Sequence, residues 1–102
     1  MKITVLKLAM NDLKEIQEYL SRFGENPPRN FRTSFENFCV QVTNMPCMFQ
    51  QYEQNKSYRK AIIAYGYLIF YQIDENRDII KIYRVLHDKR NTEPLLDLKG
   101  DR

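Results

Sequence analysis

The stretch Tyr58 to Asn91, YRKAIIAYGYLIFYQIDENRDIIKIYRVLHDKRN, decides the fold. Its apolar residues are β-branched or aromatic and alternate with a period of two, most clearly at Tyr67, Ile69, Tyr71 and Ile73, the pattern of half-buried strands. Tyr65-Gly66 and the polar run from Asp74 to Asp78 interrupt that pattern as turns. The spacing predicts strands over Tyr58 to Ala64, Tyr67 to Ile73 and Ile79 to His87, joined in sequence as an antiparallel meander.

Upstream the period changes. Residues 2–8 (KITVLKL) read as a strand buried on part of both faces, with Ile3 and Val5 on one side and Leu6 and Leu8 on the other. Asn11 or Asp12 is placed to cap a helix whose apolar residues, Leu13, Ile16, Leu20 and Phe23, keep helical spacing. Gly24 ends it. Asn26 with Pro27 and Pro28 opens a second helix, since proline is tolerated in the first turn; Phe31, Phe35, Phe38 and Val42 form its stripe, and it stops before Pro46. Residues 45–57 carry no period and read as a loop. The expected architecture is α+β in the order β-α-α-β-β-β, an antiparallel sheet with an N-terminal helical hairpin packed on one face and the other face free.

Composition sets bounds on this plan. One domain over residues 1–102 is expected, with a polar tail from Thr92 to Arg102 relieved by Leu95, Leu96 and Leu98. The chain is 43% hydrophobic with 13 aromatic residues and 28% charged, which fits a packed core and excludes a disordered or fibrous chain. Its longest apolar run, Ala61 to Tyr71, is too short to span a bilayer and no secretory signal is visible, so a soluble cytoplasmic protein is expected. The first 55 residues carry six basic and six acidic side chains, so the net charge of +3 lies in the second half; an excess this small permits an acidic partner without requiring one. Cys39 and Cys47 read as structural thiols, and with one His there is no zinc ligand set, no metal and no cofactor motif.

No glycine-rich phosphate loop, HExxH or GxSxG is present. Chemistry would have to come from a scattered set: Arg59 and Lys60 on the first meander strand, Lys81 and Arg84 on the last, and His87, Lys89 and Arg90 where it ends. Strand parity places Lys81, Tyr83, Val85 and His87 on one face, and Ile80, Ile82, Arg84 and Leu86 on the other. Tyr67, Tyr71 and Tyr83 read as cross-strand packing.

The same 34 residues resemble the RelE/ParE superfamily of toxins from bacterial type II toxin–antitoxin pairs. The likeness is carried by Gly66-Tyr67 opening the central strand, Phe70-Tyr71-Gln72-Ile73 before an acidic turn, and Val85-Leu86-His87-x-x-Arg90 closing the last strand. Upstream, Asp12-Leu13 and Ile16 before Tyr19 fit the family's N-terminal half. The resemblance implies the same β-α-α-β-β-β fold, a cognate antitoxin, and growth arrest when the toxin is free. An antitoxin segment, often acidic, would then fold over the Phe31, Phe35 and Phe38 hairpin or add to a sheet edge.

The family divides by mechanism. RelE-like members cut messenger RNA in the ribosome with cations on the first meander strand, an Arg after the Gly-Tyr, an Arg past the last strand and a tail Tyr, groups that orient the 2′-hydroxyl, stabilise charge on phosphorus and protonate the leaving oxygen. Here Arg59 and Arg90 match, while Ala61, Leu68 and Leu96 stand at the other positions. ParE-like members inhibit DNA gyrase, and their last strand commonly closes on a Leu-His-x-x-Arg segment, which Leu86, His87 and Arg90 reproduce. The resemblance is therefore closest to ParE-like gyrase inhibitors, with Lys60, Lys89 and Arg90 as target contacts. Two alternatives stay open: a ribosome-dependent ribonuclease using Arg59, His87 and Arg90 as catalytic groups, and a degenerate family member acting as a non-toxic binding module.

Overall fold

The alternation read from the sequence becomes a β-hairpin and a third strand in the computed structural model, which describes residues 1–89. In chain order the elements are β1 (Lys2–Val5), α1 (Lys7–Leu20), a 3-10 turn (Ser21–Phe23), α2 (Asn26–Asn44), β2 (Arg59–Ile63), a second 3-10 turn (Ala64–Gly66), β3 (Tyr67–Asp74) and β4 (Ile79–His87). The sheet order is β1-β4-β3-β2. β2, β3 and β4 form the expected antiparallel meander, but β1 pairs with β4 in parallel, so the sheet is mixed rather than wholly antiparallel. The expectations for residues 90–102, Arg90 included, lie outside the described residues.

The first strand is shorter than the 2–8 expected, and the first helix starts earlier. Leu6 is the pivot: its N–H bonds Ile82 O at 3.0 Å, closing the β1 ladder, and its carbonyl accepts the Met10 N–H at 2.9 Å, opening α1. Neither Asn11 nor Asp12 caps the helix; both lie inside it, and the N-cap, Leu6, makes no side-chain bond. The strand ladder, through the Leu6 N–H, fixes where the helix begins without a capping side chain. The buried stripe of α1 is accordingly Ala9, Asp12, Ile16 and Leu20, with Phe23 63% exposed. Gly24, at φ +113°, ends the turn that follows, and α2 begins at Asn26 with its prolines in the first turn.

The main core lies between the helices and one sheet face, where Phe31, Phe38 and Val42 meet Ala61, Tyr67, Ile69 and Tyr71. Phe31 packs edge-on against Tyr67 at 5.3 Å between centroids, and Phe38 against Tyr71 at 5.5 Å. This corrects the assignment of Phe31 and Phe38 to an antitoxin surface: each is 1% exposed and already spent on the chain's own core, with Phe35 packed partly against it. The opposite sheet face is not free either. The later part of the loop folds back over it: Tyr52 stacks edge-on to Phe70 at 5.2 Å and Tyr58 to Tyr83 at 4.9 Å, forming a second small core with Leu68 and Leu86, while Phe49 stays with the main core against Phe38 and Tyr71. The Tyr52 N–H to Tyr58 O bond of 2.8 Å ties this loop into a turn.

Both cysteines are free thiols; burial first, and Glu36 second, push the Cys39 thiol up. Burial likewise pushes the Tyr71 hydroxyl up to about 12, against the opposing effect of Arg59, and the hydroxyl donates to Pro46 O at 2.9 Å. Because the folded value is raised, this contribution to stability is complete below pH 10, the ordinary tyrosine value, and is lost as pH rises through about 12. In thermal unfolding between pH 9 and 12, Tyr71→Phe is therefore expected to show a flatter decline than the parent. Phe38→Ala should lower the unfolding free energy by about 3–5 kcal/mol in urea titrations, the usual cost of emptying a packed aromatic site.

Candidate functional site

β1 covers the edge of β4 only from Ile79 to Ile82. Beyond Ile82, β4 continues to His87 with no strand on that side among the described residues. The register against β3 slips here as well: Phe70 faces Arg84 and Tyr71 faces Ile82, so Tyr83 has no opposite residue. This β-bulge inverts the parity expected for the second half of the strand. Val85 and His87 join Ile80 and Ile82 on the helix side, while Tyr83 and Leu86 pack on the outer side.

Helix α1 lies beside the uncovered edge, and Asp12 joins the two. Its Oδ2 accepts Arg84 Nε at 2.7 Å and the Val85 N–H at 3.0 Å, and its Oδ1 accepts Arg84 Nη2 at 2.9 Å. The bidentate fork satisfies a carboxylate that is only 7% exposed, and the hydrogen bonds to Asp12 hold the Arg84 guanidinium above its ordinary value in spite of burial.

Between this clamp and the far end of α1 runs an open groove of about 690 Å³. Ile16, Leu20, Tyr67 and Val85 line it together with Glu15, His87 and the exposed rings of Tyr19, Phe23 and Tyr65. Tyr19 and Phe23, one helical turn apart, hold each other edge-on at 5.4 Å, with the Arg22 guanidinium 5.8 Å from the Tyr19 ring. Tyr65 projects from the β2–β3 turn with φ +63°, a left-handed conformation that costs a bulky residue energy, and Asn30 Nδ2 donates to its hydroxyl at 3.2 Å. Gly66 follows at φ +76°, and a Cβ there would stand 3.1 Å from Asp88 Oδ1. The turn after β4 thus closes on this glycine, through Asp88 N–H to Gly66 O at 2.8 Å.

The candidates named from sequence do not converge. Arg59 pairs with Tyr71 and donates from Nη1 to Phe49 O at 2.7 Å. His87 pairs with Tyr67 at the other end of β3 and packs edge-on to its ring at 5.1 Å. Four residues along and two strands across put the two backbones roughly 16 Å apart. Lys60 lies on the outer face with its ammonium 5.9 Å from the Tyr52 ring. Lys89 stands exposed on the turn after β4, its N–H donating to His87 Nδ1 at 3.2 Å. Lys81 is 3.6 Å from Asp74. Among the described residues no three His, Cys, Asp or Glu side chains are grouped to hold a metal ion, and no helix is long and apolar enough to cross a membrane.

Sequence reasoning passed over the groove. Asp12 was legible in one respect: it stands four and eight residues before Ile16 and Leu20, in phase with the buried stripe, where an acid needs a buried cation. Glu15, Tyr19 and Phe23 lie outside that stripe or at its end, and only the bulge in β4 brings its edge to face them.

A sheet of this order with two helices on one face is the fold of RelE- and ParE-like toxins, and the comparisons agree. A mutant of E. coli toxin RelE in the free state superposes with a TM-score of 0.70 at 14% identity, covering 99% of this chain and 97% of that one. A chain of the intact E. coli RelBE toxin–antitoxin complex gives 0.61 at 17% identity, over 87% and 98%. A chain of the chromosomal ParDE system from P. aeruginosa gives 0.60 at 13% identity, over 85% and 95%. No curated protein matches the sequence. The family model described as ParE toxin of type II toxin-antitoxin system, parDE, matches residues 3–92. The chain belongs to this family, within the RelE/ParE superfamily.

Asp12→Ala would remove the acceptor that the Arg84 guanidinium and the Val85 N–H share. A loss of about 3–5 kcal/mol is expected, measured as a lower urea midpoint at unchanged slope, with Asp12→Asn intermediate.

Proposed function

We propose that this chain is a growth-arresting toxin directed at DNA gyrase and held inactive by a cognate antitoxin. One observation supports a non-hydrolytic target mode above the others. Arg59 and His87, the described members of the ribonuclease set, sit at opposite ends of the sheet, and Arg59 is committed to the carbonyl of Phe49. In-line RNA cleavage needs its acid, base and charge-stabilising groups within a few ångströms of one phosphate. Leu68, at the position after Gly66-Tyr67 where RelE-like members carry Arg, is 7% exposed and part of the outer core. On this reading Lys60, Lys89 and Arg90 act as target contacts and His87 fixes the turn that presents Lys89.

The antitoxin surface in this proposal is the groove between α1 and β4, in place of the buried phenylalanines. Exposed Tyr19, Phe23 and Tyr65 give it apolar area to bury. A second reading, a ribosome-dependent ribonuclease, draws on the likeness to the RelE structures and would recruit Arg59, His87 and Arg90 on the ribosome.

Pulse labelling after tightly controlled induction of the chain alone separates the readings. Thymidine incorporation is expected to fall first; an earlier fall in methionine incorporation would move the assignment to the ribosome. His87→Ala is expected to weaken toxicity modestly, whereas loss of a catalytic acid or base would cost about 100-fold or more. Co-expression with the antitoxin should restore growth.

A further inference from the structure

The groove has a chemical character opposite to that of the chain as a whole. The protein carries a net charge of +3, yet the titratable side chains lining the groove are Asp12, Glu15, Tyr19, Tyr65, Tyr67 and His87, with no Lys or Arg among them. Two cations stand beside it: Arg84 gives Nε and Nη2 to Asp12, and the Arg22 guanidinium lies 5.8 Å from the Tyr19 ring at the far end of the groove. Asp12 is therefore answered by Arg84, while Glu15 is exposed on the same wall, about 10 Å along the helix axis from Arg22.

The backbone along the other wall is equally specific. Asp88 N–H bonds Gly66 O, so Leu86, two residues back, shares the same direction toward β3, and Val85 and His87 alternate away from it. Asp12 takes the Val85 N–H. The C=O of Val85 and the N–H and C=O of His87 point to the side where β1 has ended. A strand edge that no described residue pairs is a template for an added strand.

We propose that the antitoxin segment seated here is an extended, apolar stretch carrying a Lys or Arg opposite Glu15, with its backbone paired to β4 at Val85–His87. The inference rests on the reading of the groove as the antitoxin surface. It departs from the general expectation of an acidic antitoxin segment: an acidic residue opposite Glu15 would meet like charge, and the acidic residues are assigned elsewhere, on the basic second half of the chain. Apolar side chains of the added strand alternate toward Tyr19, Phe23 and Leu20, and the basic residue satisfies a carboxylate that strand addition would otherwise desolvate.

The test uses the full chain purified with its cognate antitoxin and compares two charge reversals of equal effect on net charge. Glu18 is exposed on α1 and does not line the groove. Glu15→Arg is expected to weaken the complex about tenfold or more, chiefly through faster dissociation, while Glu18→Arg leaves it within about twofold. Reversing the matching basic residue of the antitoxin should restore binding to Glu15→Arg alone. If Glu15→Arg binds as tightly as the parent or more tightly, the basic-segment assignment is overturned. Self-association of the free chain that protects the His87 amide would instead put a second copy in the groove, which also overturns it. Failure of the two proteins to form any complex would overturn the antitoxin reading itself, a distinct result. Circular dichroism of both variants checks that an exposed substitution has left the fold intact.

Discussion

The bond between Asp12 and the Arg84–Val85 segment is the constraint on which the arrangement of this molecule depends. It joins the middle of the first helix to the second half of the last described strand, 72 and 73 residues apart. It lies where β1 has run out and a backbone N–H would otherwise face a helix without an acceptor. The same carboxylate answers a buried charge and a strand-edge donor, so its removal withdraws an acceptor from both at once. The bulge that omits Tyr83 from the ladder makes this possible by turning Val85 toward α1. The groove beside it follows from the same geometry: α1 is fixed close enough to form a wall and far enough from the strand edge to leave space.

The meander was legible because its signal is local. Alternation at Tyr67, Ile69, Tyr71 and Ile73, the Tyr65-Gly66 turn and the acidic turn each depend on neighbouring residues, and all three lie where the pattern put them. The second helix was legible for the same reason, through Pro27, Pro28 and the phenylalanine stripe. The misreadings share a different cause. Leu6–Leu8 looked like strand because nothing in their sequence shows that the Leu6 N–H finds Ile82, and Asp12 looked like a cap because its partner is 72 residues away. The parity of β4 failed after Ile82 because a bulge is a property of two strands in register and leaves no mark on one of them.

The site was less legible than the fold. Arg59, His87, Lys60 and Lys89 were chosen for chemical type, and the structure distributes them over both sheet faces and both ends. The phenylalanines were offered to the antitoxin as a Phe-rich hairpin, whereas a chain of this size has few large residues to spare and uses Phe31 and Phe38 inside. What the sheet leaves outside is a different aromatic set, Tyr19, Phe23 and Tyr65, each on or beside a turn. Turns escape the periodicity by which a core is recognised, and so do the surfaces built on them.

The parallel pairing of β1 with β4 has a consequence for how the protein comes into being. Residues 2–5 find their sheet partner only at residues 79–82, and Asp12 finds its own only at 84 and 85. During synthesis, then, the emerging chain holds an amphipathic helical hairpin without the complete sheet that covers it until β4 has been made. Contacts this distant in sequence make folding slow compared with a local helical bundle. Until closure, the apolar face that becomes the core is open to whatever binds exposed hydrophobic surface in the cell. A chain truncated before β4 lacks the partner strand for β1, the clamp and the groove together, so the finished surface comes into existence all at once, when β4 has been made.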